Sequence, residues 1–461
     1  MLFRSLSLAQ KTIPAADRLL ERASGTDAIV SSLAGIKVLG RGPMLGYLVA
    51  LVAGMVVVLY AFRFTRAPER GWTVVAVLAV VTGIVAMVVA DKWKGQPQFF
   101  LNEVNIVYVA GDHAVAHSAL GLYSPHAASF DLAASAETLR LRPRKGVDSF
   151  SVRVNDDLRV AGLAVRANDM RAMFGQAILP ATKQPHATAK LTATGLEVTV
   201  TATQPLEDCF FKCNRFVAPL GDLPAGATKT FRHLETGDAF SSRVVQNTAD
   251  ELRTRLRRLF FPDPVYTLGK QRLTDTAAFR ERGPAVYGWT AAPLFPSTLE
   301  QKVAHRAINF WSIEAPVTYT GRQIIIPRGL ATLRLKNKDA RTVERAEGRF
   351  SGTRASTLLA EFSLPADCPD VQVATARVVV NFRGSAFRCH VSMQAPGTDE
   401  LKIKRQPELT GDTVPNPRQW YDPARRSFLV AVEIEPVTLE QAAVNYWQIR
   451  ELDMEIGGTV Q

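Results

Sequence analysis

The sequence has little of what most enzymes and nucleic-acid-binding proteins require. It contains four cysteines and seven histidines among 461 residues, and it lacks the motifs G-x-S-x-G, H-E-x-x-H, Walker A and G-x-G-x-x-G. The formal net charge is +12, but lysine and arginine are spread along the chain and form no basic block interleaved with aromatic residues. We therefore expect a non-catalytic protein with no cofactor, no metal and no nucleic-acid partner.

Charge is also absent from two long apolar stretches, residues 43–62 and 72–90. At about 1.5 Å per residue, each stretch gives a helix of roughly 30 Å, the thickness of the hydrocarbon core of a bilayer. Because neither stretch carries an ionisable side chain, a channel or transport pathway is not expected. The sequence predicts a transmembrane helical hairpin over residues 43–95 that acts as an anchor, with the lipid bilayer as a partner.

The spacer between these stretches holds Arg63, Arg66 and Arg70. By the positive-inside rule, this density of arginine favours a cytoplasmic spacer. The tail 1–42, for which we expect an amphipathic helix, and the large C-terminal region would then both lie outside. No secretory signal peptide precedes the first stretch. The predicted location is the inner (cytoplasmic) membrane, crossed twice, with extracytoplasmic domains.

Beyond the hairpin, apolar and polar residues alternate with a period of two, and clusters of Gly, Pro, Asn and Asp separate the segments. This pattern predicts short strands arranged in β-sandwiches. The interruption at 248–261 has a capping box, a leucine stripe and terminating prolines, which predict a helix. We expect a mainly β protein with a first β-sandwich at 96–247, a helix and connector at 248–299, and a second β-sandwich at 300–461.

All four cysteines follow the hairpin, and their even number fits an oxidising compartment. Cys368 and Cys389 flank a predicted strand hairpin, and a disulfide between them would stabilise the fold by roughly 3 kcal/mol. Cys209 and Cys213 fit either a local disulfide at a turn or half of a metal site. No matching Cys/His pair lies nearby at ligand spacing, so we predict no metal.

Two sets of residues are candidates for binding. Arg253, Arg257 and Arg258 lie on the polar side of the predicted helix 248–261, where they could contact lipid headgroups or an acidic partner, or simply face solvent. The second set is aromatic and is a candidate glycan contact: Trp420, Tyr421 and Trp447. Exposed on a sandwich face, such rings would stack on sugars, whereas buried rings would be core packing.

Several short motifs are shared with a known group of proteins: 101–104 (LNEV), 120–125 (LGLYSP), 205–208 (PLED), 220–226 (LGDLPAG) and 288–289 (GW). With the hairpin, they resemble the C-terminal half of a family of uncharacterised bacterial two-span membrane proteins that carry extracytoplasmic β-sandwich domains. The resemblance covers residues 43–461. It implies that a further extracytoplasmic domain usually precedes the hairpin, so that this domain is either dispensable here or supplied by a separate polypeptide. It implies no activity.

These observations together lead to an expected function. We expect a non-catalytic, membrane-anchored envelope protein that acts as a scaffold or docking subunit through protein–protein interaction. One alternative is a carbohydrate-binding or carbohydrate-processing module acting on a cell-envelope polymer. A second alternative is an accessory subunit of a transporter.

Overall fold

Alternation of apolar and polar residues produces strands along most of the part of the chain that the structure describes, as the sequence predicts. The structure is a computed structural model that describes residues 41–65, 69–93, 99–111, 113–134, 140–143, 151–154, 158–167, 169–180, 184–234, 284–295, 297–299, 303–338, 342–346, 349–365, 368–396, 412–437 and 446–460. The mainly β fold class is confirmed, with five sheets among these residues. The predicted helix at 248–261 and the predicted amphipathic helix of the tail lie outside the described residues.

Two helices, α1 (Arg41–Phe62) and α2 (Arg70–Trp93), form a hairpin at the predicted place. The hydroxyl of Tyr47 on α1 donates a hydrogen bond to the carbonyl oxygen of Thr82 on α2, at 2.7 Å. The helices come close at Gly71, where an added Cβ would lie 2.9 Å from Cβ of Phe62, whereas a Cβ added at Gly46 or Gly83 would meet no atom within 4 Å.

The membrane part of the predicted fold class is wrong. Among the described residues, neither helix has the length and apolarity that crossing a bilayer requires. The transmembrane hairpin and the two-pass inner-membrane location are therefore not supported.

The strands between the helices and residue 320 form three sheets, which we call the first unit. Sheet A has eight strands in the order β11-β10-β13-β15-β1-β2-β7-β4, sheet B has the order β14-β3-β6-β5, and sheet C has the order β12-β9-β8-β16. Their bounds are β1 (Phe99–Ala110), β2 (His113–Ser124), β3 (Ala128–Ala134), β4 (Arg140–Pro143), β5 (Ser151–Val154), β6 (Leu158–Val165), β7 (Asp169–Pro180), β8 (His186–Thr192), β9 (Gly195–Thr201), β10 (Leu206–Cys213), β11 (Phe216–Leu223), β12 (Thr228–Leu234), β13 (Ala285–Thr290), β14 (Ser297–Leu299), β15 (Val303–Glu314) and β16 (Val317–Tyr319).

The centre of sheet A is a parallel pair between strands that are far apart in the sequence. Strand β1 pairs in parallel with β15, so that Asn105 lies beside Asn309, and it pairs antiparallel with β2 on its other edge. Strands β15 and β16 thus belong to the sheets of the first unit. The division predicted at 299/300 falls inside this unit because β15 is a central strand of sheet A.

The remaining strands form two sheets, which we call the second unit. Sheet D has the order β17-β26-β20-β19, with β22 also paired to β26, and sheet E has the order β18-β21-β25-β23, with β24 also paired to β25. Their bounds are β17 (Gln323–Ile326), β18 (Thr332–Lys338), β19 (Val343–Ala346), β20 (Arg349–Gly352), β21 (Ser356–Ser363), β22 (Val371–Arg383), β23 (Phe387–Gln394), β24 (Tyr421–Asp422), β25 (Ser427–Pro436) and β26 (Trp447–Val460), with a 3₁₀ turn at Pro417–Gln419.

The two units share one apolar core. A single cluster of buried side chains runs from Leu101 and Trp311 in the first unit to Phe362 and Ile456 in the second. The outer face of sheet A carries a second buried cluster, in which the rings of Phe210, Tyr287, Phe310 and Trp289 follow one another across the strands. Both faces of sheet A are therefore buried, which explains the long apolar runs of its central strands.

Candidate functional site

A buried carboxylate lies at the centre of sheet A. Glu103 on β1 has no exposed surface, and its Oε1 accepts hydrogen bonds from the backbone N–H groups of Leu294 and Phe295, at 3.0 and 3.2 Å. The side-chain nitrogen of Asn105 donates to the same oxygen at 2.5 Å. The other oxygen, Oε2, lies 2.9 Å from Nε2 of His305 on β15. The carboxylate is thus fully engaged by neighbours.

Further polar side chains continue this arrangement across β15 and β13. Asn105 donates to Oδ1 of Asn309 at 2.6 Å, and Asn309 donates to the hydroxyl of Thr290 at 2.7 Å. The indole N–H of Trp311 donates to the same hydroxyl at 3.0 Å. We call these residues the Glu103 network: Glu103, Asn105, Thr290, His305, Asn309 and Trp311.

The strand geometry explains why these side chains meet. Glu103 and Asn105 are two residues apart, and so are Asn309 and Trp311, which places each pair on one face of its strand. The parallel register then aligns β1 with β15. Sequence reasoning missed the network, although one signal was visible: two polar residues at alternate positions inside the apolar run of β1.

The Glu103 network is built to hold strands together rather than to react. An acid–base site needs a group that a substrate can reach, and only His305 has side-chain exposure here, at 20% against 0% for Glu103. Every donor aimed at Glu103 comes from the protein itself. The network ties β1 to β15 and to the segment that follows β13, so its role is structural.

The candidate glycan residues do not form an open platform. Trp447 is completely buried, and its indole N–H donates to the carbonyl oxygen of Arg354 at 2.7 Å. Trp420 is half-buried, and Tyr421 packs its ring against Phe428 with centroids 5.2 Å apart. Stacking on a sugar requires an exposed ring face, which Trp447 lacks. The candidate arginines Arg253, Arg257 and Arg258 lie outside the described residues.

The predicted disulfide is absent. All four cysteines lie within the described residues, and none forms a disulfide. Cys368 precedes β22 and Cys389 lies on β23, and these strands do not form the predicted hairpin, since β22 pairs with β26 and β23 pairs with β25. The chain crosses from sheet D to sheet E between β22 and β23, so these strands do not bring Cys368 and Cys389 together as a hairpin would.

The buried thiols are held in their neutral form. Burial, together with the neighbouring carboxylates of Asp222 and Asp208, raises the pKa of Cys209 to about 12. Burial likewise raises the pKa of Cys368 to about 11, although the guanidinium of Arg426 acts in the opposite direction. Because the thiolate is the reactive form, neither cysteine is suited to nucleophilic or redox chemistry.

The largest accessible feature is the apolar side of the helical hairpin. Among the described residues, 18 large apolar side chains are exposed, and 14 of them lie between Tyr47 and Val85. We call the helical members of this set the hairpin surface: Tyr47, Val49, Val52, Val56, Val57, Tyr60, Trp72, Val74, Val77, Val80, Val81, Ile84 and Val85. A contiguous apolar surface of this kind marks a binding site more often than a free surface.

Comparison with known proteins adds a domain assignment and a distant structural similarity. Residues 188–318 match the model of a domain of unknown function, DUF8725. The match runs from β8 to β16, and it does not include β1, the parallel partner of β15. No curated protein matches the chain. Among solved structures, the yeast delta-COP-I mu-homology domain, complexed with a Dsl1 WxWxV peptide, is similar at 8% identity with a TM-score of 0.27. The similarity covers 48% of this chain and 97% of that domain, and it carries nothing about function.

Proposed function

We propose that the protein is a non-catalytic docking subunit whose hairpin surface binds an apolar helical surface of a partner protein. The observation that carries this proposal is the concentration of exposed apolar side chains, 14 of 18, on one small part of the described chain. Water-exposed apolar area is costly, and its burial is the main favourable term in protein association.

The chemistry of the hairpin surface defines the partner. Residues 49–62 and 71–85 contain no charged side chain, so the partner surface must be apolar as well. Gly46, Gly54 and Gly83 leave open space around their Cα atoms, which would let a second helix approach closely. We propose a separate chain as this partner.

The sheets support the docking proposal as a rigid platform. The Glu103 network fixes the central strands of sheet A, and the shared core joins both units. Outside the hairpin, the exposed large apolar side chains of the described residues are few and scattered: Ile178, Tyr319, Val437 and Tyr446. The hairpin surface is therefore the feature best suited to association.

The test replaces two central residues of the hairpin surface by lysine. Val56 on α1 and Val80 on α2 have 59% and 62% of their surface exposed, and Tyr319 on β16, with 47%, serves as the matched control. The wild-type protein, the Val56→Lys/Val80→Lys variant and the Tyr319→Lys variant are purified from their native source in mild detergent. Light scattering coupled to size exclusion gives the mass of each complex.

We expect the wild type and Tyr319→Lys to elute with one partner protein at a fixed stoichiometry, and the double variant to elute alone with unchanged circular dichroism. Retention of the partner by the double variant would contradict the proposal. So would a wild-type protein that is alone under every condition, or one that associates only with phospholipid vesicles and with no protein.

A further inference from the structure

The turn between β10 and β11 reaches from the first unit into the second. At its tip, Arg215 donates hydrogen bonds through Nη1 to the carbonyl oxygen of Leu452, and through Nη2 to that of Ala331 at 3.3 Å. Nη2 also forms an ion pair with Oδ1 of Asp453 at 3.0 Å. The guanidinium carbon lies 5.5 Å from the centre of the Phe362 ring. One arginine side chain thus contacts four residues of the other unit.

The groups around Arg215 form a pocket with a defined chemistry. Two carbonyl oxygens and one carboxylate oxygen accept hydrogen bonds, and an aromatic face lies beside the cation. The side chains of Arg215 and Asp453 are only 10% and 6% exposed, so the ion pair is formed away from bulk solvent. A planar guanidinium matches such a fork of acceptors and an aromatic face, whereas an ammonium group does not.

The backbone around Arg215 fits the second unit closely. The N–H groups of Arg215 and Phe216 both donate to the carbonyl oxygen of Gly329, at 3.0 and 2.9 Å. The side-chain nitrogen of Asn214 donates to the carbonyl oxygen of Leu330 at 2.6 Å. Asn214 adopts a left-handed conformation with φ 50°, which turns the chain so that Arg215 points into the pocket.

We propose that the second unit contains a guanidinium-binding pocket formed by Ala331, Phe362, Leu452 and Asp453, and that the chain fills it with its own Arg215. The occupied pocket joins the two units. This inference is independent of the docking proposal for the hairpin surface, because the hairpin contributes no residue to the pocket.

The charge of Asp453 explains why the pocket needs a cation. Burial raises the pKa of Asp453 above its ordinary value, and the guanidinium groups of Arg215 and Arg328 offset only part of this rise. Backbone N–H groups of Gly329 and Met454 also donate to this carboxylate and lower its pKa. Removal of Arg215 leaves a buried carboxylate without its main counter-charge, which is strongly destabilising.

The test is chemical rescue in the full-length protein. Arg215→Ala empties the pocket and should lower the Tm by roughly 5 to 10 °C. Ethylguanidinium at millimolar concentration, which can enter the vacated space, should restore at least a third of this loss. Ethylammonium at the same concentration should restore none. The matched control is Arg377→Ala, which removes the exposed ion pair with Asp412 and should respond to neither compound.

The rescue should disappear in Arg215→Ala/Asp453→Asn, because the carboxylate acceptor is lost. Equal effects of both compounds, or the same Tm increase in the wild type and in Arg377→Ala, would overturn the proposal. If Arg215→Ala does not fold, the Tm of Arg215→Lys is compared with that of the wild type instead. A Tm below that of the wild type supports a pocket specific for guanidinium, and a Tm equal to that of the wild type overturns it.

Discussion

At the residue scale, buried polar side chains determine how the strands of sheet A are held. Glu103 has no exposed surface, and it is tolerated because backbone and side-chain donors surround it. A buried donor that loses its acceptor is costly. The stability of the centre of sheet A should therefore depend on this carboxylate.

Glu103→Gln tests this dependence. The amide keeps one acceptor oxygen but turns an NH₂ group toward donors, so we expect the free energy of unfolding to fall by about 2 to 4 kcal/mol. Denaturant unfolding measures the loss. Glu197→Gln is the control, because Glu197 forms only a surface ion pair with Arg232 at 3.7 Å and should change stability by under about 1 kcal/mol. Equal losses in the two variants would refute the structural role of the network.

Thiol reactivity tests the burial of the cysteines. With a pKa of about 12, Cys209 should have about a thousandfold less thiolate at pH 8 than an ordinary cysteine. We expect modification of Cys209 in the native protein to be far slower than that of the half-exposed Cys389, as followed site by site by mass spectrometry. Four thiols should react in denatured, non-reduced protein. A count of two would show that a disulfide does form.

The same pKa gives a pH dependence of stability. The folded-state pKa of Cys209 is higher than its unfolded-state value, so its contribution to stability is complete below about pH 8.5 and is lost as the pH rises toward 12. We expect the free energy of unfolding to fall between pH 9 and 11 more steeply in the wild type than in Cys209→Ala. Parallel curves for the two proteins would contradict the shift.

At the element scale, local sequence determines strands and turns, but partners elsewhere in the chain determine the sheets. Both strands of the predicted hairpin are present as β22 and β23, yet they pair with β26 and β25 rather than with each other. The period of two is a local property, whereas pairing depends on distant strands. The Glu103 network was missed for the same reason, since its members lie between residues 103 and 311 of the chain.

For the helical hairpin, hydropathy predicted the helices but not what surrounds them. Uncharged runs of helical length correctly predicted two helices, α1 and α2. The inference from helix to membrane span was wrong, because no helix among the described residues is long and apolar enough to cross a bilayer. An apolar helix can be buried against lipid or against an apolar protein surface, and its sequence does not by itself distinguish the two.

Two glycines allow a controlled test of the contact between the units. Gly321 and Gly329 have φ values of +84° and +85°, but a Cβ at Gly329 would lie 2.8 Å from the backbone nitrogen of Phe216, whereas a Cβ at Gly321 would meet nothing. Both alanine variants should lose about 1 kcal/mol from the left-handed backbone. Gly329→Ala should lose at least a further 1 kcal/mol from the clash. Equal losses by denaturant unfolding would contradict close contact there.

At the scale of the whole molecule, the first and second units should behave as one cooperative body. One apolar cluster runs through both units, and Arg215 connects them by a buried ion pair. We expect a single calorimetric transition whose van't Hoff enthalpy equals the measured enthalpy. Two separate transitions in the wild-type protein would show that the units are energetically independent.

The parallel pairing of β1 with β15 also determines how long β1 waits for its partner strand during synthesis. Asn105 and Asn309 are 204 residues apart, so one edge of β1 cannot be paired until β15 has been synthesised. At about 5 to 20 residues per second, that delay is roughly 10 to 40 s. During this interval the nascent chain carries an apolar strand with an open edge that can pair with other chains. Biogenesis of this protein should therefore depend on chaperones that protect the nascent chain until residue 314 has emerged.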